Sequence, residues 1–207
     1  DLFSYLEKRK FKISEERASI IMHKMCTAVY YIHKYGIVHR DLKPENVLMT
    51  SKDEDSDIRI LDFGLSKMVG PNEKCTEPYG TLTYCAPEII IDEPYTQSVD
   101  LWSLGVMTYL MLSGRLPFNA QDETDIARQV AFNEPDFTKH SIWSKISNEA
   151  KDFTKRLLTK KPEDRMDIKE ALDHDWFKKY YKDEINEDRK QMEESGEKFK
   201  AYSSLNK

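Results

Sequence analysis

Cysteine is scarce in this chain: Cys26, Cys75 and Cys85 are the only three in 207 residues, and they show no paired spacing. Three are too few for a disulfide framework and too unpatterned for a zinc site. They fit a reducing compartment, so the expected location is the cytoplasm, with the nucleus as second choice. Long apolar runs are also missing. The most apolar stretch, 101–112, is interrupted by Ser103 and Thr108 and is too short to cross a bilayer, and the first residues carry no signal-peptide pattern. The chain opens inside what reads as a helix, so it says nothing about a targeting signal further upstream. Neither sign of charge is in large excess. With 32 Lys and Arg against 37 Asp and Glu, the net charge of −5 argues against a general nucleic-acid binder. No membrane span and no DNA or RNA partner is expected. The remaining composition, 39% hydrophobic and 33% charged, describes one globular domain, or one domain with a tail. Such a chain buries about two thirds of its unfolded surface.

One stretch stands out: Ile37-Val38-His39-Arg40-Asp41-Leu42-Lys43-Pro44-Glu45-Asn46-Val47-Leu48. Between two apolar runs that read as strand pieces, it crowds a carboxylate (Asp41), an ammonium (Lys43) and an amide (Asn46). These offer a base, a group that neutralises phosphate, and an oxygen ligand for a hard cation. Residues 47–49 and 58–61 read as strands of an antiparallel hairpin around the polar turn 51–57, which brings Asn46 and Asp62 to one edge. Asp53, Asp55 and Asp57 match the first three ligand positions of an EF-hand calcium loop. Ile58 stands where that loop needs glycine and Gly64 where it needs a bidentate glutamate, so a solvated turn is expected instead.

The helical pattern is clear elsewhere. Leu2, Phe3 and Leu6 begin a first helix. Ser14 as N-cap, Glu15 and Glu16 behind it, and Ala18, Ile21, Met22, Met25, Ala28, Val29 and Ile32 at helical spacing predict a long core-packed helix stopped by Gly36. Residues 98–112 are apolar almost all round and closed by Gly114, so that helix must be buried. Further helices are expected over 122–131 and 147–158, and one from an Asp167/Glu170 capping box to about Phe177. His23 and His33 read as helix-surface or packing residues, and Met22, Met25 and Met49 as core filler. From 178 to 207 charge dominates. Ile185, Met192 and Phe199 recur every seven residues, too sparse a seam for a coiled coil, so a solvated helix or a disordered linker is expected.

Asp62-Phe63-Gly64 follows the opening stretch by one hairpin, and a Gly-, Pro- and charge-rich segment over 67–79 leads to Gly80-Thr81 and Ala86-Pro87-Glu88. In this order and spacing the three motifs resemble the catalytic loop, metal motif and Ala-Pro-Glu of protein kinases. The resemblance implies a mainly α fold. Residues 1–177 would be the large C-terminal lobe, with a small antiparallel β-hairpin at the catalytic edge, and 178–207 a charged tail or regulatory linker. The β-rich N-terminal lobe is absent from these residues: none of the seven glycines forms the Gly-rich nucleotide loop, and there is no Val-Ala-x-Lys strand. The implied activity is ATP-dependent phosphorylation of serine or threonine on protein substrates, with ATP and Mg2+ as cofactors, once the small lobe is joined. The competing reading is a pseudokinase-like scaffold, which has no chemical need for Asp41, Lys43, Asn46 and Asp62 together.

The same resemblance implies the residue roles. Asp41 orients the substrate hydroxyl and accepts its proton; Lys43 offsets charge on the transferred phosphate; Thr81 bonds to both. Asn46 and Asp62 are metal ligands, Asp1 reaches the nucleotide ribose, and Phe63 and Gly64 complete the metal motif. Asp100 braces the catalytic-loop backbone, and Arg165 pairs with Glu88. Glu77 stands three residues before Gly80, where many relatives carry a phosphorylated threonine, so its fixed charge is expected to pair with Arg40; Thr76 is the rival phosphosite. Asp1 and Glu45 are acids on the substrate path and imply a basic protein or peptide substrate. The segments 80–88, 112–118 and 171–177 resemble the calcium/calmodulin-dependent kinase group, including the calcium-dependent kinases of plants and protists and the checkpoint-type kinases. A calcium-linked regulator follows from that resemblance.

Overall fold

The computed structural model of the protein describes residues 1–51, 56–70 and 73–180, so the aspartates at 53 and 55 and the heptad positions 185, 192 and 199 lie outside the described residues. The fold is mainly helical. Helices α1 (Leu2–Lys8) and α2 (Glu15–Lys34) come first, and α3 (Pro87–Ile90), α4 (Ser98–Ser113), α5 (Glu123–Phe132), α6 (Asn148–Leu157), α7 (Ile168–Leu172) and α8 (Asp175–Tyr180) follow a segment of short strands and turns.

The core forms around α4. Its apolar circumference buries Trp102, Leu104, Val106 and Met107 completely, and α2 and α6 pack against it. Gly105 sets the distance to α6, because a Cβ there would lie 2.9 Å from Leu157 Cβ. The N-cap expected at Ser14 is present: its hydroxyl accepts the Arg17 N–H, and Glu15 and Glu16 fill the first turn of α2. Gly114 ends α4 in the left-handed conformation, at φ 71°.

Two expectations need correction. The single helix expected from Asp167 to about Phe177 is two helices. The capping box starts α7 as expected, but the chain breaks after Leu172 and restarts where the His174 ring accepts the Trp176 N–H at 3.2 Å. The break turns Trp176 and Phe177 together onto Phe153, with ring centroids at 5.0 and 4.9 Å. The second correction concerns the sheet. The hairpin is there, β2 (Val47–Met49) against β3 (Ile58–Ile60), in the register Val47↔Ile60. A second antiparallel pair joins β1 (Ile37–Val38) to β4 (Lys67–Met68). Two-residue strands carry no readable period, so this pairing was invisible in the sequence. It ties the residues just before His39-Arg40-Asp41 to those just after Asp62-Phe63-Gly64. Gly36 permits the approach: φ is 74°, and a Cβ would meet the Val69 carbonyl oxygen at 2.6 Å.

Candidate active site

The site is built on two backbone positions that resist their own conformation. Arg40 (φ 71°) and Asp62 (φ 58°) are non-glycine residues in the left-handed region, which persists only where surrounding contacts over-determine it. For Arg40 those contacts come from Asp100, a fully buried carboxylate on α4. Asp100 accepts the His39 N–H and the Arg40 N–H, each at 2.9 Å, and the His33 Nε2–H at 2.8 Å. Burial pushes the Asp100 carboxyl upward. The His33 ring and the two backbone N–H groups outweigh it, and the pKa ends below the ordinary value. His39 adds a second tie, its Nδ1 accepting the Asp41 N–H at 3.3 Å while its Nε2–H donates to the Leu61 carbonyl at 3.1 Å.

On this frame Asp41 collects four donors. The Thr81 N–H (3.0 Å) and hydroxyl (2.7 Å) reach Oδ1; the Lys43 ammonium (2.8 Å) and the Asn46 amide (3.1 Å) reach Oδ2. Lys43 also donates to the Thr81 hydroxyl at 2.7 Å, which leaves that hydroxyl's proton for Asp41. Burial works to raise the Asp41 pKa, but the bonds from Lys43, Thr81 and Asn46 hold it below the usual value. A carboxylate has about four lone-pair directions, and here each has a donor.

Thr81 arrives from the far side of the chain through Gly80. At φ 125°, Gly80 sits where a Cβ would meet the Arg40 carbonyl oxygen at 2.8 Å and Cys85 Sγ at 2.9 Å. Only glycine allows the chain at 80 so close to Arg40.

Asn46 and Asp62 meet at the edge of the hairpin, where the Leu61 N–H donates to the Asn46 carbonyl at 2.8 Å. The Asn46 amide nitrogen is committed to Asp41, to its backbone carbonyl (2.9 Å) and its carboxylate, and this turns the side-chain oxygen of Asn46 away from Asp41. One Asp62 oxygen takes the Gly64 N–H at 3.1 Å. Among the described residues no group of three or more His, Cys, Asp or Glu could hold a metal unaided. A hard cation that brings phosphate oxygens with it needs only one or two protein oxygens, so the Asn46 and Asp62 donor set fits that kind of ion. Phe63 stacks edge-on against His39 at 5.0 Å and is half-exposed, as are Leu48 and Leu61 near the same edge.

Glu77 is held by charge. Arg40 Nη1 lies 3.2 Å from Glu77 Oε2, and Lys67 Nζ is 3.1 Å from Glu77 Oε1. The Tyr95 hydroxyl donates to the Glu77 carbonyl at 2.7 Å, and the exposed Thr76 gives its N–H to the Glu77 carboxylate. Its own backbone N–H first, then Lys67 and the Thr76 N–H, bring the Glu77 carboxyl down to about 2. Farther off, Arg165 makes a two-pronged pair with Glu88, at 2.7 and 2.9 Å, and both side chains are buried. Asp1 is the N-cap of α1, accepting the Ser4 N–H at 2.7 Å, at the exposed end of a helix that packs against the 44–46 turn. Glu45 is exposed on that turn, near Tyr84, whose hydroxyl pKa is pushed up by burial and next by the Glu45 charge.

Asp41, Lys43, Asn46 and Thr81 are joined by hydrogen bonds, with Asp62 next to Leu61 at the hairpin edge beside Asn46, and with Arg40, Glu77 and Asp100 supporting them, while Asp1 and Glu45 are exposed. Sequence reasoning missed His33, Lys67 and Tyr95. Lys67 and Tyr95 are far along the chain from Arg40, and their roles exist only once the segment folds back; His33 had a helical signal that gave no hint of its buried partner.

The profile of the protein kinase domain family matches residues 1–177. The chain belongs to the protein kinase domain family. Its relatives include a "CDPK-related protein kinase" of Daucus carota, 42% identical over 183 residues, covering 86% of this chain and 29% of that protein. "CDPK-related kinase 8" of Arabidopsis thaliana is also 42% identical over 183 residues, covering 88% of this chain and 30% of that protein. A "Calcium/calmodulin-dependent serine/threonine-protein kinase 1" of Oryza sativa subsp. japonica is 41% identical over 178 residues, covering 86% of this chain and 29% of that protein. The chain thus spans under a third of the length of these curated relatives. These kinases belong to the group that the motifs at 80–88, 112–118 and 171–177 resemble.

Proposed function

We propose that this chain is the substrate-side lobe of a serine/threonine protein kinase, residues 1–177 forming the large lobe and 178–207 a tail or regulatory linker. Joined to a small lobe, it transfers phosphate from ATP to serine or threonine of protein substrates. The observation that carries this reading is the set of donors on Asp41. All four acceptor directions are occupied, so a substrate hydroxyl needs one of them to be vacated. Lys43 is the donor free to leave, because its ammonium has a better partner in a transferring phosphate. Its departure opens Oδ2 to the hydroxyl, while Thr81 keeps Oδ1 in place. The lowered pKa keeps Asp41 ionised at neutral pH, so it orients the hydroxyl and takes its proton late in the transfer. The Lys43–Thr81 bond supports serine/threonine specificity.

The side-chain oxygens of Asn46 and Asp62 would hold Mg2+, which when bound neutralises the nucleotide phosphates. The half-exposed Leu48, Leu61 and Phe63 suit an edge that a small lobe covers. Asp1 and Glu45 on the rim favour a basic peptide, and the relatives' names support a calcium-linked regulator; the scarce, unpaired cysteines favour a cytoplasmic setting. The salt bridges of Glu77 support a 67–81 segment ordered without phosphorylation, with Thr76 as a secondary site. Asp41→Asn in the protein carrying its small lobe tests the assignment. The substitution keeps the shape, and it is expected to lower kcat by roughly a thousandfold while ATP still binds. Peptide phosphorylation at the wild-type rate would overturn it.

A further inference from the structure

Tyr95 lies in the connection between α3 and α4 and is 2% exposed. Its backbone pairs with Cys75 in an antiparallel bridge: the Cys75 N–H donates to the Tyr95 carbonyl at 2.8 Å, and the Tyr95 N–H to the Cys75 carbonyl at 2.9 Å. That pairing sets the phenol beside the chain two residues further on. Its hydroxyl donates to the Glu77 carbonyl at 2.7 Å and accepts from Arg40 Nη1 at 3.4 Å. One oxygen thus gives a donor to the segment that carries Thr81 and an acceptor to the residue before Asp41. Burial pushes the Tyr95 hydroxyl pKa up, so the donated proton stays in place at neutral pH.

The Glu77 carbonyl also accepts the Tyr79 N–H, at 2.9 Å, and so closes a three-residue turn over 77–79. That turn leads directly into Gly80 and Thr81. The Arg40 guanidinium lies over the Tyr79 ring at 4.8 Å and bonds to the Glu77 carboxylate, so both ends of the turn face Arg40. One short stretch of chain grips Arg40 at two points: Asp100 accepts its N–H at 2.9 Å, and Tyr95, five residues earlier, meets its guanidinium. The Glu77 side chain is 38% exposed, whereas the phenol is buried, so the bonds of Tyr95 are the ones shielded from water. We infer, on the kinase reading proposed above, that Tyr95 is a positioning residue for phosphate transfer: its hydroxyl fixes the 77–79 turn that delivers the Thr81 hydroxyl to Asp41.

Tyr95→Phe tests this, because it keeps the ring and removes only the hydroxyl. In the protein carrying its small lobe, it is expected to lower kcat for peptide phosphorylation by roughly tenfold and to leave the KM for ATP within about twofold of wild type. A residue that only stabilised the fold would reduce the folded fraction instead. Rates are therefore taken per folded molecule, at a temperature where unfolding curves show both proteins folded. Thr81→Ala supplies the specific readout: with the Thr81 hydroxyl gone, Tyr95→Phe is expected to cost less than about twofold in kcat. A wild-type kcat per folded molecule in Tyr95→Phe, or the same loss with and without the Thr81 hydroxyl, would overturn the inference. Asp41→Asn in the same assay separates the two levels. If it blocks transfer while Tyr95→Phe has no effect, only the role of Tyr95 falls; if it transfers phosphate at the wild-type rate, the kinase reading falls and the role of Tyr95 with it.

Discussion

Arg40 and Glu77, separated by 37 positions in the chain, lie with Nη1 and Oε2 3.2 Å apart, and Arg40 is the residue that precedes Asp41. This contact joins the 73–81 segment to the left-handed turn that precedes Asp41. Lys67 and Tyr95 hold Glu77 from two other directions. The segment that carries Thr81 is therefore pinned by a carboxylate encoded in the sequence.

Removing that carboxylate should loosen Thr81 and, through it, Asp41. Glu77→Ala in the protein carrying its small lobe is expected to lower kcat/KM by roughly tenfold, the worth of a charge-assisted hydrogen bond. Glu77→Gln is expected to lose less. The pH dependence has a definite sign. The Glu77 pKa is depressed from 4.5 to about 2 in the folded chain, so its contribution to stability is complete above pH 4.5 and is lost as the pH falls towards 2. Unfolding curves of wild type and Glu77→Gln should differ by a constant amount above that window and converge within it. An activity indifferent to Glu77→Ala would mean that the segment is ordered by other contacts.

Gly80→Ala tests the close approach directly. With φ at 125° and two atoms inside 3.0 Å of a new Cβ, the substitution is expected to cost about 1–3 kcal/mol and to displace Thr81 from Asp41. Gly70→Ala is the control. Its Cβ meets only the flexible end of Glu73, at 3.6 Å, and stability should stay within about 0.5 kcal/mol of wild type. Equal effects at the two glycines, measured by urea unfolding, would argue against the geometry.

Arg165 and Glu88 form a buried pair, and breaking it from one side strands a charge. Arg165→Met is expected to destabilise by about 3–5 kcal/mol, with Glu88→Met similar. The double variant should recover part of the loss but not all of it. Arg165 also donates to the carbonyls of Thr159, Lys160 and Ser98, and those acceptors stay unpaired. Full additivity of the two single effects would mean the side chains do not interact.

The sequence by itself determined the helical fold and the chemical identity of the site. Period-3.6 apolar patterns, the Ser14 cap, the capping box at Asp167 and the closing glycine at 114 are local signals, and the structure reproduces them to within a residue or so. Asp41, Lys43 and Asn46 lie within one short stretch, so their proximity needed little folding to predict, and the hairpin turn was enough to add Asp62.

What only the tertiary structure decided is how these groups are satisfied. That Thr81 reaches Asp41, that His33 reaches Asp100, that Arg40 reaches Glu77, and that β1 pairs with β4 all depend on contacts spanning roughly 30 to 70 positions. No local propensity encodes such contacts, because their energy appears only after the chain has closed the intervening loops and excluded water around the charges. The break after Leu172 has the same origin: the capping box could start a helix, but burial of Trp176 and Phe177 against Phe153 chose where it stopped.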